Sequence, residues 1–179
     1  MSLIKPPPHL KISQWADKFR YLSTESSSEA GKFETSRAIF QKEIMNSIND
    51  PSIDEVVVMS CSQIGKTEIL LNAIGYYIHY APAPILIVHP TLEMARAWSQ
   101  DRLAPMIRDT EILKYKVAEV KSKDSGNTVL HKMFDGGHIT ACGANSPASL
   151  ASRPIKIVLC DEIDRYPPTA GSEGDPVML

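Results

Sequence analysis

Three short, β-branched apolar runs set between helical patterns constrain this chain most. They are Val56-Val57-Val58-Met59, Ile85-Leu86-Ile87-Val88 and Ile155-Lys156-Ile157-Val158-Leu159-Cys160. Each is too short for a helix and apolar on both faces, as a strand covered on both sides of a parallel sheet would be. Helical spacing from about Thr67 to Tyr80 links the first run to the second, and Pro82 and Pro84 stop it. Thr91 caps a long helix through Met94, Ala95, Trp98 and Leu103, which Pro105 kinks or ends. The alternation predicts an α/β fold: a mostly parallel sheet flanked by helices.

The remaining segments decorate that frame. Tyr115 to Val120 and Thr128 to Phe134 read as strands. Asp135-Gly136-Gly137 is a tight-turn signal before Ile139 to Cys142, so a β-hairpin insert is expected. Ser146 to Leu150 suits one or two helical turns. Toward the amino terminus, Pro6-Pro7-Pro8 reads as an extended arm, and Ser13 caps a helix carrying Ile12, Trp15, Ala16, Phe19 and Leu22. Ser23 to Gly31 is an exposed loop. Ser36 caps a second helix with Ile39, Phe40, Ile44, Met45 and Ile48, which Asn49-Asp50-Pro51 ends. The tail, with Pro167, Pro168, Gly171, Gly174 and Pro176, has little periodicity. These readings divide the chain into an arm and helix over residues 1–35 and a partial α/β domain over residues 36–179.

Composition narrows the function classes. With 19 Lys+Arg against 21 Asp+Glu, the chain is no basic nucleic-acid coat, and any DNA contact must be local. Cys61, Cys142 and Cys160 lie far apart and fit neither a disulfide framework nor a zinc pattern, which suits a reducing compartment. The apolar stretches are too short to span a bilayer, so a soluble intracellular protein is expected.

The sharpest chemical signal is Ser60-Cys61-Ser62-Gln63-Ile64-Gly65-Lys66-Thr67. It matches the phosphate-loop pattern G-x-x-x-x-G-K-[ST] everywhere except the first glycine, which is Ser60. A strand is predicted before it and a helix after it. Loop amides and the positive end of the helix then point at phosphates, Gly65 allows close backbone approach, Lys66 reaches the terminal phosphates and the Thr67 hydroxyl binds Mg2+. A bare Gly-Lys-Thr also opens ordinary helices, so a second signal matters. The apolar run ending in Asp161-Glu162 supplies it: one acid holds the metal and the next activates the attacking water. Lys66 and Asp161 are 95 positions apart, room for two or three strand–helix units.

Other residues carry less weight. Gln41 could read an adenine edge with its paired donor and acceptor, or be a solvated surface glutamine. His89-Pro90-Thr91 ends the second strand at the sheet edge where ligands gather, or is a plain strand-to-helix turn. Arg153 could contact phosphate or DNA, or solvate its loop. His9, His79, His131 and His138 lack ligand spacing and read as structural. Trp15, Phe19 and Trp98 fit core faces.

Several of these segments together resemble phage terminase large subunits, most closely the lambda-like subgroup. They are Trp15-Ala16-Asp17, the Gly31 to Thr35 segment, Phe40-Gln41, Ser62 to Thr67, the His89-Pro90-Thr91 corner, Gly143 to Ala148 and Asp161 to Pro167. The resemblance implies a P-loop ATPase fold and an ATP- and Mg2+-dependent motor that drives double-stranded DNA into a procapsid in the host cytoplasm. A small terminase subunit, the portal ring and other copies of the same chain would be its partners. It implies a separate nuclease domain in the parent protein, absent from this chain. By position, Lys66 and Thr67 become the phosphate and metal residues, Asp161 the metal acid, Glu162 the water-activating acid and Gln41 the adenine reader. Many terminases carry an arginine where this chain has Ser62, so Arg153 or a neighbouring subunit's arginine would have to replace it.

Two rival classes stand beside this reading. Asp161-Glu162-Ile163-Asp164 also has the D-E-x-D form of helicase-like ATPases, and a shortened domain could serve as a non-catalytic nucleotide-binding or assembly module. The resemblance further implies the core strand order 5-1-4-3-2. Both neighbours of the phosphate-loop strand would then follow the acid pair. Val56 to Ser60 is therefore expected to lack at least one of its usual strand neighbours.

Overall fold

The computed structural model describes residues 9–25, 29–117, 127–146, 150 and 154–178. The proline arm, the later half of the run from Tyr115 to Val120, most of the turn expected after Ser146, and Arg153 lie outside them.

Helix α1 (Ile12–Phe19) forms where the apolar spacing places it, one residue ahead of the expected cap. Its start is held by Gln14, whose Oε1 accepts from the Lys11 amide at 2.9 Å. Ser13 is instead buried inside the first turn, with its hydroxyl donating to Asn46 Oδ1 at 2.8 Å. A two-residue ribbon, β1 (Tyr21–Leu22) and β2 (Gly31–Lys32), brackets the Ser-rich loop. Ser36 does not cap the next helix either. It lies within a 3-10 turn (Thr35–Ala38) that leads into α2 (Phe40–Ile48), and Thr35 is tied back to Asp17 at 2.7 Å.

Helix α3 (Lys66–His79) is the central helix, with eight consecutive buried positions from Leu71 to Ile78. Pro82 and Pro84 end the segment before β3 (Ile85–His89), which is buried at every position. Thr91 caps α4 (Leu92–Trp98), its Oγ1 accepting from the Met94 amide at 3.2 Å. The long helix expected here then widens into a π-helical stretch over Ser99–Leu103 and resumes as α5 (Ala104–Asp109). Pro105 supplies the reason, because it has no amide to donate and its ring crowds the preceding turn. A single turn, α6 (Glu111–Lys114), follows.

The insert forms as a hairpin of β4 (His131–Phe134) and β5 (Gly137–Gly143), joined at the Asp135-Gly136 turn. Tyr115 to Val117 does not make a strand; only Val117 bridges, to Phe134. The last strand is β6 (Ile157–Cys160). The sheet order is β4-β5-β3-β6. Residues Ile85 to Val88 of β3 lie in parallel register with Ile139 to Cys142 on one side and Ile157 to Cys160 on the other. The α/β architecture is thus as expected: a mixed sheet with a parallel centre and helices packed on it.

One expected strand is missing. Val56 to Ser60 has no regular structure and pairs with no strand among the described residues. Val57 is 75% and Met59 98% exposed. A β-branched run has no ladder of its own to join unless a neighbour offers one, and the outer edge of β6 is likewise unpaired among the described residues. The expected loss of a neighbour therefore holds in a stronger form, since no neighbour is present on either side.

The amino-terminal helices pack on α3 through one tight contact. The Trp15 ring lies so close to Gly75 that a Cβ there would sit 2.2 Å from it. The Trp15 indole donates to His79 Nδ1, one turn further along α3, at 2.9 Å. Burial of Trp15, Ile12, Met45, Leu71, Ile74 and Ile78 joins α1, α2 and α3 in one apolar core with β3.

Candidate functional site

The carboxyl ends of β3 and β6 lie side by side, and Lys66 at the start of α3 is near enough to Asp161 after β6 to act on its carboxyl. The loop from Ser60 to Ile64 is exposed or half-exposed and turns sharply into α3. Gly65 sits at φ +81°, a left-handed conformation that favours glycine, and Gln63 at φ +61°. Two unusual residues in three fold the loop back over the helix start. Lys66 follows this curve, and its Nζ donates to the Cys61 carbonyl at 2.9 Å. Thr67 is half-buried in the first turn.

Gln41 reaches the loop from α2. It is buried, and its Nε2 donates to the Ile64 carbonyl at 3.0 Å and the Gly65 carbonyl at 3.4 Å. It is not a solvated surface side chain. Its amide nitrogen grips the loop that leads into α3.

Asp161 stands directly after β6, with its amide donating to the Val88 carbonyl at 3.0 Å. Burial pushes its carboxyl above the ordinary carboxylate range, while a backbone hydrogen bond at Glu162 and the Lys66 ammonium pull it back. The two motifs, distant in sequence, therefore share one electrostatic environment. Glu162 is held at φ +53°, a strained conformation for a residue with a side chain, and pairs with Arg165 at 3.1 Å. Tyr166 braces the corner by donating to the Val88 carbonyl at 2.8 Å, and burial raises its hydroxyl above the ordinary range.

Two features of the site are not visible in the sequence pattern. Arg20, which ends α1, is 1% exposed and pairs with Glu68 in the first turn of α3 at 3.1 Å. Burial lowers its pKa, with Glu68 opposing the shift. No spacing rule links positions 20 and 68; only the fold does. The other is His89. The corner it begins was legible, but its buried ring beside Asp161, with Nδ1 3.8 Å from Oδ2, was not.

The donor set suits Mg2+ rather than a metal caged by protein. Among the described residues no group of three or more His, Cys, Asp or Glu side chains converges. A half-buried carboxylate, here Asp161, with substrate phosphates and water completing the shell, is how Mg2+ is commonly held.

A family model described as phage terminase large subunit gpA, ATPase domain, matches residues 27–179. The terminase large subunit of Enterobacteria phage P21 is 31% identical over 180 residues, covering 100% of this chain and 28% of that protein. The terminase large subunit of Escherichia phage lambda is 29% identical over 179 residues, covering 99% of this chain and 28% of that protein. The chain thus spans about 28% of the length of these curated relatives. No solved structure matches it. No helix among the described residues is long and apolar enough to cross a membrane. With a family match over most of its length, the chain belongs to the ATPase domain family of the phage terminase large subunit gpA.

Proposed function

We propose that this chain is the ATP-hydrolysing part of a DNA-packaging motor, working on Mg2+-bound ATP through a P-loop of the RecA-like kind. The reading is carried by the closeness of Lys66 to Asp161, near enough to lower the Asp161 carboxyl against the upward push of burial, from motifs far apart in sequence. Ser60, Ser62, Gln63 and Gly65 shape the loop that receives the phosphates. Lys66, released from the Cys61 carbonyl, turns to the terminal phosphates and neutralises charge that develops there. Thr67 and Asp161 would hold Mg2+, which when bound neutralises phosphate charge and orients the leaving group. Glu162 accepts a hydrogen bond from the attacking water and takes its proton. Arg165, now paired with Glu162, must give up that ion pair or tolerate sharing it. Gln41 holds the loop with its nitrogen and offers its oxygen to an adenine amino group.

By the family it belongs to, the motor would move double-stranded DNA into a procapsid in the host cytoplasm. It would act as a ring of identical chains with a small terminase subunit and a portal ring. A nuclease domain elsewhere in the parent protein would cut the DNA. Arg153 or an arginine from a neighbouring copy would serve where Ser62 replaces the loop arginine of many terminases.

The test is Glu162→Gln in the full-length protein. ATP turnover should fall at least about a hundredfold while nucleotide binding persists, the signature of a lost general base. Turnover near the unmutated rate would remove Glu162 from this role.

A further inference from the structure

Beside Asp161, His89 is a buried titratable group that the mechanism above does not use. It ends β3 and is 2% exposed. Neutral imidazole carries one N–H and one bare nitrogen. Nδ1 faces the Asp161 carboxylate, with Oδ2 3.8 Å away. Placing the proton on Nε2 would turn a lone pair toward that carboxylate and leave a buried donor unmade. Placing it on Nδ1 turns a donor toward the carboxylate and leaves Nε2 as an acceptor.

That acceptor is buried and without a hydrogen-bond partner among the described residues. Beside it lies its complement. Trp98 closes α4 with its ring centroid 5.0 Å from that of His89, and its indole Nε1–H is also buried and unpartnered. Two buried polar atoms on neighbouring rings, each unsatisfied, cost free energy that a hydrogen bond between them would recover.

We infer that His89 is a positioning residue for Asp161: its Nδ1–H steadies the metal-binding carboxylate, and the Trp98 indole N–H steadies its Nε2. This rests on the assignment of Asp161 to Mg2+ proposed above. Partners of this kind behind a metal-binding group typically change metal affinity or activity by about 10–100-fold. The line Trp98–His89–Asp161 runs from the proposed metal acid to the end of α4, immediately before the π-helical stretch at Ser99–Leu103.

The test uses the full-length protein labelled with 5-fluorotryptophan, with the Trp98 resonance assigned by its loss in Trp98→Phe. Addition of Mg2+ and ADP should move that resonance in the unmutated protein and leave it in place in His89→Ala. His89→Ala should raise the Mg2+ concentration for half-maximal hydrolysis about tenfold or more, with the ATP KM within about twofold. His89→Asn, whose amide can stand in for Nδ1–H, should recover most of the loss. A His89→Ala protein with unaltered Mg2+ dependence and a Trp98 signal that still responds overturns the inference. If His89→Ala does not fold by circular dichroism, Trp98→Phe decides: it should raise the Mg2+ requirement about threefold or more, and an unchanged requirement overturns the relay. Asp161→Asn in the same assay separates the two layers. Loss of Mg2+ dependence there, with none in His89→Ala, defeats only the role of His89. Unchanged Mg2+ dependence in Asp161→Asn defeats the metal assignment itself.

Discussion

The amide nitrogen of Gln41 lies 2.5 Å from the point where a Cβ on Gly65 would stand. The loop and α2 are thus fitted to each other at a glycine that also needs its left-handed φ of +81°. Gly65→Ala must bear the left-handed penalty of about 1–2 kcal/mol and also displace Gln41. Nucleotide affinity by calorimetry should fall at least about tenfold. An alanine variant that binds as well as the parent would show that this fit has no functional weight.

Gln41→Ala removes the hydrogen bonds to the Ile64 and Gly65 carbonyls without adding bulk. The loss of a buried donor should cost about 1 kcal/mol, or roughly fivefold in nucleotide affinity. If loop support is the main role, ADP and GDP weaken together. If the side chain also reads the base, ADP weakens more than GDP. Fluorescence titration with both nucleotides separates the outcomes, and no change for either would set Gln41 outside the site.

The Arg20–Glu68 pair ties the end of α1 to the first turn of α3, with Arg20 almost wholly buried. Removing one partner leaves a charge buried alone, at roughly 3 kcal/mol or more. Arg20→Met and Glu68→Gln should each lower the thermal midpoint clearly. The double variant should be less destabilised than the two single effects added together. Strict additivity in that cycle would mean the two side chains do not act as a pair.

Burial lowers the His79 pKa below its ordinary value, and the neutral ring accepts the Trp15 indole hydrogen at Nδ1. As pH falls, the unfolded chain takes up the proton first, so the folded state loses stability from around the ordinary imidazole range downward. That loss should shrink in His79→Gln, which keeps an acceptor but does not titrate in this range. Equal acid sensitivity in both proteins, by denaturant unfolding between pH 7 and pH 5, would assign the loss to other groups.

The parts of this molecule written in local pattern were legible in the sequence. Helix α3, strand β3, the Thr91 cap and the hairpin turn at Asp135-Gly136 all follow from spacing and turn chemistry within a few residues. The expectations that failed depended on distant partners. Val56 to Ser60 has strand composition but no strand beside it, so its apolar side chains stay exposed. Ser13 and Ser36 look like caps, but Asn46 takes the Ser13 hydroxyl and Asp17 fixes the turn at Thr35, which moves both helix starts. The site shows the same division. Lys66, Thr67, Asp161 and Glu162 announce themselves by motif, whereas Arg20 enters only through its pairing with Glu68, and the place of His89 through the parallel register of β3 and β6.

The central claim is that Lys66 and Asp161 belong to one nucleotide site. Calorimetric titration of ATP with Mg2+ into the full-length Lys66→Ala protein tests it most directly. Loss of a charged hydrogen-bond donor to phosphate, worth about 1.5–3 kcal/mol, should weaken binding at least about tenfold with the thermal midpoint unchanged. Affinity equal to that of the unmutated protein would contradict the account.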